Sequence, residues 1–241
     1  MKNVFQKWGI TIYLLLLCTH LYAQILGANF TILQFITKAS LLPTLILYMV
    51  CQDFFENASK EKWIILMAMF GSFLGDVLLT FDHLFIIGMV AFMTTHIFNI
   101  IMFNKINSMW NPKSKKFLSY SIILLAFCVF IYLRLNAAMG KLIYPILVYM
   151  LLICSAALMA IQAGFNEKSF LISKLFWLPG MLFFIASDTV LAFNKFSWSV
   201  HHPVENIGLI TMLTYGLAQL MLAKGFQLYF KLNVNKNEPV I

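Results

Sequence analysis

Apolar residues run through this chain in blocks of about 20, broken by short polar stretches, and a helix of that length crosses ~30 Å of hydrocarbon. The pattern predicts eight membrane-spanning helices, at residues 8–26, 31–51, 62–81, 84–104, 117–135, 141–162, 171–193 and 206–229. The breaks fall at Gly27–Asn29, Asn57–Lys62, Asn111–Lys116, Asn136–Gly140, Gly164–Ser169 and His201–Glu205, where helix-ending residue types gather. Spans three and four are joined so tightly, at Phe81–His83, that they are expected to form an antiparallel hairpin. Little is left over for a soluble domain. Residues 1–241 are therefore read as one integral membrane domain, an all-α polytopic helix bundle.

Composition agrees. Of 241 residues, 61% are hydrophobic and 11% charged, where a soluble domain carries about 25% charged residues. The formal net charge of +8 is mainly a topology signal. Alternate connections hold Lys2, Lys7, Lys60, Lys62, Lys105, Lys113, Lys115, Lys116, Lys168, Lys174, Lys224, Lys231 and Lys236, whereas the others hold only Arg134, Lys141 and Lys195. With eight spans, this asymmetry places both termini in the cytoplasm. Because the basic residues are scattered along membrane edges, no folded basic patch for nucleic acid is expected. Residues 1–23 have some features of a signal peptide, but Leu21 stands where cleavage needs a small residue, so the segment is read as a retained first span. Cys18, Cys51, Cys128 and Cys154 show no paired spacing and are read as packing residues without a disulfide or metal role.

Within the apolar blocks, two acidic residues stand out: Asp76 in FGSFLGDVLLTF and Asp188 in GMLFFIASDTVLAF. A carboxylate at the centre of a membrane helix costs about 2.5–3.5 kcal/mol on insertion scales, so each is expected to have a partner or a use. Other polar residues recur three and four apart, on single helix faces. Thr31, Gln34 and Lys38 line one face of span two, Ser72, Asp76 and Thr80 one of span three, His96 and Asn99 one of span four, and Thr211, Tyr215 and Gln219 one of span eight. Ser187 and Thr189 flank Asp188. Together these faces are expected to converge on an interior cavity in the outer half of the bilayer. Bland roles compete: back-bonding or helix gluing for Ser72, Thr80 and Thr211, plain packing for His96, snorkelling for Lys38, and a structural ion pair between Lys38 and either aspartate. Gly71 and Gly75 form a small-xxx-small step that lets another helix approach beside Asp76. The segments GDVLLTF and SDTVLAF are alike, which hints at a repeated helix pair.

These positions carry a resemblance. Lys38 and Pro43 in TKASLLPTL, Gly75-Asp76 in LGDVLL, Gly88, Phe92 and His96 in IIGMVAFMTTH, Tyr149, Gly180 and Ser187-Asp188 in PGMLFFIASDTVLAF, and Tyr215 with Ala218-Gln219 in LTYGLAQLM resemble the YhhN-like lysoplasmalogenases. These are multi-pass membrane hydrolases of vinyl-ether lysophospholipids. Span five and its flanking loops are the least family-like. The resemblance implies an eight-helix bundle and a hydrolase that splits the vinyl ether of a lysoplasmalogen into a fatty aldehyde and a glycerophospho-head-group, taking its lysophospholipid substrate from the bilayer.

Protonation of a vinyl ether's outer carbon makes an oxocarbenium ion, and water then adds to give a hemiacetal that collapses to aldehyde and alcohol. The step calls for an acid, a nearby negative charge and a base for water. Two carboxyl groups in different protonation states supply these, as in glycosidases. Asp76 and Asp188 are the expected catalytic pair, either one serving as the acid. Lys38, His96, Asn99, Ser187, Tyr215 and Gln219 are the expected supporting or substrate-binding residues. No cofactor is called for, and no His/Cys/Asp set has metal-ligand spacing. The competing reading is a proton-coupled transporter using the same Asp/Lys/His cluster, though no pair of Gly/Pro-interrupted half-helices marks a transport site. Lysine- and asparagine-rich loops point to a bacterial cytoplasmic membrane. Head-group preference and oligomeric state have no sequence signature here.

Overall fold

The structure, a computed structural model, describes residues 2–27, 31–53, 61–108, 115–198 and 206–234, and no strand occurs among them. The breaks expected at 57–60, 111–114 and 201–205 and at Ala28 and Asn29 lie outside the described residues. The helices are α1 (Lys2–Ile25), α2 (Thr31–Val50), α3 (Glu61–Leu78), α4 (Phe85–Ile106), α5 (Lys115–Met139), α6 (Ile143–Ala163), α7 (Leu178–Phe193) and α8 (Ile207–Val234). Wider π-helical turns, Ser173–Trp177 and Asn194–Trp198, extend α7 at either end.

Among the described residues, six segments are long and apolar enough to cross a membrane: Lys2–Ile25, Thr31–Val50, Asp82–Ile106, Phe117–Ala163, Phe170–Ser197 and Ile207–Asn233. The 47-residue segment among them, Phe117–Ala163, folds back on itself at Gly140, whose φ of +51° suits a residue without Cβ. Its two arms are α5 and α6. Helix α3 is not among the six, since Glu61, Lys62 and Asp76 all lie within it. Several helices outrun the apolar stretches that announce them. Helix α1 starts at Lys2 and α8 ends at Val234, because backbone hydrogen bonding continues past the last apolar residue.

Neighbour packing closes a circuit: α1 on α2, α2 on α3, α3 on α4, α4 on α6, α6 on α7, α7 on α8, and α8 back on α1 and α2. Helix α5 stands outside it, packed on α6 and on the turn at Asn194–Trp198. The expected α3–α4 hairpin is present, its link being the short 3₁₀ turn Asp82–Leu84. Gly71 and Gly75 make it close. A Cβ on Gly75 would sit 2.4 Å from Phe92 Cδ2, and one on Gly71 would sit 2.5 Å from Thr94 Oγ1. Where α4, α7 and α8 meet, Trp177 packs with Phe103 and Phe226 at ring separations of 5.3 and 5.4 Å.

The four cysteines are free thiols, as expected, and two of them are neighbours. Cys128 on α5 and Cys154 on α6 are both buried free thiols, with sulfurs 3.3 Å apart. Their sequence spacing gave no hint of this, because only the fold-back at Gly140 aligns the two arms.

Candidate active site

The predicted polar residues gather in two networks rather than one. The first joins α3, α4 and α8. Tyr215 donates its hydroxyl to Asp76 Oδ2 at 2.7 Å. One turn along, Gln219 Nε2 donates to Ser72 Oγ at 2.9 Å, and Ser72 shares a hydrogen bond with Thr95 at 3.1 Å. Asp76, Tyr215, Ser72, Thr95 and Gln219 are all buried. The i, i+4 spacing on α3 and α8 makes the two rungs meet. Asn99, also buried, lines a small cavity with Thr95 and Gln219.

The second network joins α4, α6 and α7. Tyr149 donates its hydroxyl to Asp188 Oδ2, and His96 Nε2 lies 3.2 Å from the same tyrosine oxygen. Since the tyrosine proton goes to the aspartate, its oxygen accepts from His96, which assigns the Nε2–H tautomer. His96 is fully buried, and its Nδ1 has no hydrogen-bond partner among the described residues. Ser187, next to Asp188 but on another face, donates to the Thr211 carbonyl at 3.0 Å and ties α7 to α8.

Aromatic rings separate the networks. Phe92 and Phe184 stand edge to face at 5.9 Å, and each also packs on Tyr215, at 5.9 and 5.5 Å. Phe184 meets His96 at 4.9 Å on the other side. The wall is one residue layer thick, and the two carboxyl groups remain within electrostatic reach of one another.

The networks differ in what they face. A cavity opens beside α4–α7, lined by apolar side chains such as Met89, Phe127, Ile131, Ile146 and Ile185, with Tyr149 and Asp188 in its wall. Phe92 lines the cavity, but Asp76 and Tyr215 do not.

The face on α2 divides. Thr31 is exposed, and Gln34 donates to the carbonyls of Ala23 and Gly27 at the end of α1. Lys38 is half-buried and in electrostatic reach of Asp76, with no ion pair within 4.0 Å among the described residues. Thr80 and Thr211 back-bond to the carbonyls of Asp76 and Ile207, the bland role weighed for them. One participant, Tyr149, was missed as a site residue, and one buried polar group outside the two networks, His20, was missed altogether. Tyr149 sits in mid-helix, where a buried phenol needs a polar partner. His20 is buried on α1 between Thr37 and Gln24, at 2.9 Å from each.

The family comparison bears on the same helices. The model of the YhhN family matches residues 33–226. The chain belongs to the YhhN family, the lysoplasmalogenase family. No curated protein and no solved structure matches it. Every residue of the two YhhN-family networks just described lies inside the matched stretch, whereas α1 precedes it.

Proposed function

We propose that this YhhN-family protein is a lysoplasmalogenase: a hydrolase that cleaves the vinyl ether of a lysoplasmalogen within the membrane to give a fatty aldehyde and a glycerophospho-head-group. Eight helices crossing the bilayer, with both termini cytoplasmic, complete the reading, and a bacterial cytoplasmic membrane is its setting. Family membership supports the hydrolase class. The observation that carries the chemistry is the Asp188 carboxyl in the wall of an otherwise apolar cavity.

Tyr149 occupies Asp188 Oδ2, which leaves Oδ1 to hold and deliver a proton. The cavity takes the alkenyl chain and excludes bulk water. Protonated Asp188 gives its proton to the outer vinyl carbon, forming a C–H bond and an oxocarbenium ion and leaving a carboxylate beside the cation. That carboxylate then takes a proton from the water adding to the oxocarbenium carbon, which yields the hemiacetal and restores the acid. Collapse moves the hemiacetal hydroxyl proton to the departing glycerol oxygen, and the aldehyde leaves. His96 and Tyr149 form a donor chain that fixes Asp188. Asp76, behind the Phe92–Phe184 wall and beside Lys38, acts at a distance through its charge, while Gln219 and Ser72 hold its helix in place.

The test is aldehyde release from defined lysoplasmalogen by purified protein in nanodiscs, read by mass spectrometry. Aldehyde and glycerophospho product in equal amounts, with no ion gradient, is the expected result. Gradient-dependent movement of solute without aldehyde would put the transporter reading in its place.

A further inference from the structure

A second, more polar cavity adjoins the apolar one. Leu79, Phe85 and Leu191 line both, and beyond them the second cavity is walled by Asp82, Asn194 and Lys195. Lys195 Nζ lies 3.3 Å from Asp82 Oδ1 and 4.5 Å from the centre of the Phe85 ring. Asp82 is fully exposed and Lys195 about one-third exposed. The geometry points to a binding site for a zwitterionic phosphodiester head-group, with Lys195 taking the phosphate, and Asp82 together with the face of Phe85 taking the ammonium.

The argument rests on juxtaposition. An ion pair this exposed contributes little to folding, so it opens readily, and a zwitterion satisfies both charges without stranding either. Lysine binds phosphate as a point charge on a flexible stem, while an aromatic face beside a carboxylate suits an alkylammonium. Position fits as well. Lys195 follows Asp188 by about two helical turns, roughly 10 Å along the axis, a span that a glycerol backbone and its phosphate can bridge. With the head-group at Lys195, the chain runs past Asp188 into the apolar cavity. The assignment deepens the lysoplasmalogenase reading and depends on it for which bond of the lipid lies at Asp188.

Binding of non-cleavable 1-O-alkyl lipids to the protein in nanodiscs tests the site apart from chemistry. The probes are alkyl-lysophosphoethanolamine, alkyl-lysophosphatidic acid, alkylglycerol and water-soluble glycerophosphoethanolamine. Lys195→Gln should weaken both phospholipids about tenfold and leave alkylglycerol unchanged. Asp82→Asn should weaken only the ethanolamine lipid, by about threefold. Inverting the pair (Asp82→Lys with Lys195→Asp) keeps an ion pair and should still lose the phospholipid preference, which a merely structural pair would not. Equal losses for all three lipids, or none, overturn the proposal. So does glycerophosphoethanolamine binding as tightly as its lipid, which would make this a site for a soluble phosphodiester. If this pattern holds but no lysoplasmalogen is cleaved, the head-group site stands and the catalytic reading falls. Normal cleavage with no discrimination in binding gives the reverse.

Discussion

Asp76 and Asp188 are built alike and placed differently. Each sits on a helix of the closed circuit, and each accepts a hydroxyl proton from a tyrosine on another helix, Tyr215 for Asp76 and Tyr149 for Asp188. Asp76 is sealed behind Phe92 and braced by the Ser72–Gln219 rung. Asp188 is half-buried, lines the apolar cavity, and has a histidine behind its tyrosine. A buried carboxyl is costly in either place, so cost alone does not distinguish a reacting group from a supporting one. Access to a cavity does.

The comparison breaks most directly at the aspartates. Asp188→Asn should lower kcat for aldehyde release about a thousandfold, within the usual range for removing a general acid, with the folded fraction unchanged by size exclusion. Asp76→Asn keeps its shape and its acceptor for Tyr215, and should cost only about tenfold, or 1.4 kcal/mol in the barrier. Equal losses, or the reverse order, would make the sealed carboxyl the chemical one.

The tyrosines sharpen the contrast. Tyr149→Phe frees Asp188 Oδ2 toward the cavity and should reduce kcat roughly tenfold to a hundredfold with little change in stability. Tyr215→Phe leaves a buried carboxyl without its donor and should cost about 1–3 kcal/mol of stability, read as a fall in the detergent unfolding midpoint, with a smaller effect on turnover. If both substitutions act on rate alone, the two pairs are functionally alike.

Much of this was open to reading from the residues. The price of a carboxyl in hydrocarbon marked Asp76 and Asp188, helical spacing put Tyr215 with Gln219 and Asp76 with Ser72 on single faces, and Gly71 with Gly75 announced a close helix contact beside Asp76. A helix face, however, does not name the neighbour it meets. Gln34 shares a face with Lys38 yet serves the end of α1. His96 and Asn99 share a face of α4 yet join different clusters, because His96 meets Tyr149 of α6 while Asn99 lines the small cavity between α3 and α8. The aromatic wall was illegible for the same reason, since Phe92 and Phe184 look like any apolar residue until both tyrosines are placed around them.

That wall gives the next prediction. A Cβ at position 75 would collide with the Phe92 ring at 2.4 Å, and Phe92 packs on Phe184 and Tyr215. Gly75→Ala should therefore destabilise the protein by about 1–3 kcal/mol through overpacking. By shifting the barrier it should also narrow the gap between the two asparagine variants. Gly75→Ala with Phe92→Leu relieves the collision and should recover stability. Failure to recover would place the strain elsewhere on the α3–α4 contact.

The smallest effect concerns Ser187, beside Asp188 in sequence but turned toward α8. Its hydroxyl donates to the Thr211 carbonyl, which also accepts from Thr214 Oγ1 at 3.0 Å. Removing Ser187 Oγ therefore strands no buried acceptor, and Ser187→Ala should cost about 0.6 kcal/mol, the average for such bonds between membrane helices. Turnover should change less than about twofold, since Asp188 is held from the α6 side by Tyr149 and not through its sequence neighbour. The double variant with Tyr149→Phe decides the point. If the two effects on kcat simply multiply, the α8 tie and the tyrosine act independently, as expected for sites without a shared partner. If the double variant is worse than the product, α7 is steered into the cavity from both sides, and the sealed network at α8 takes part in aiming the open one.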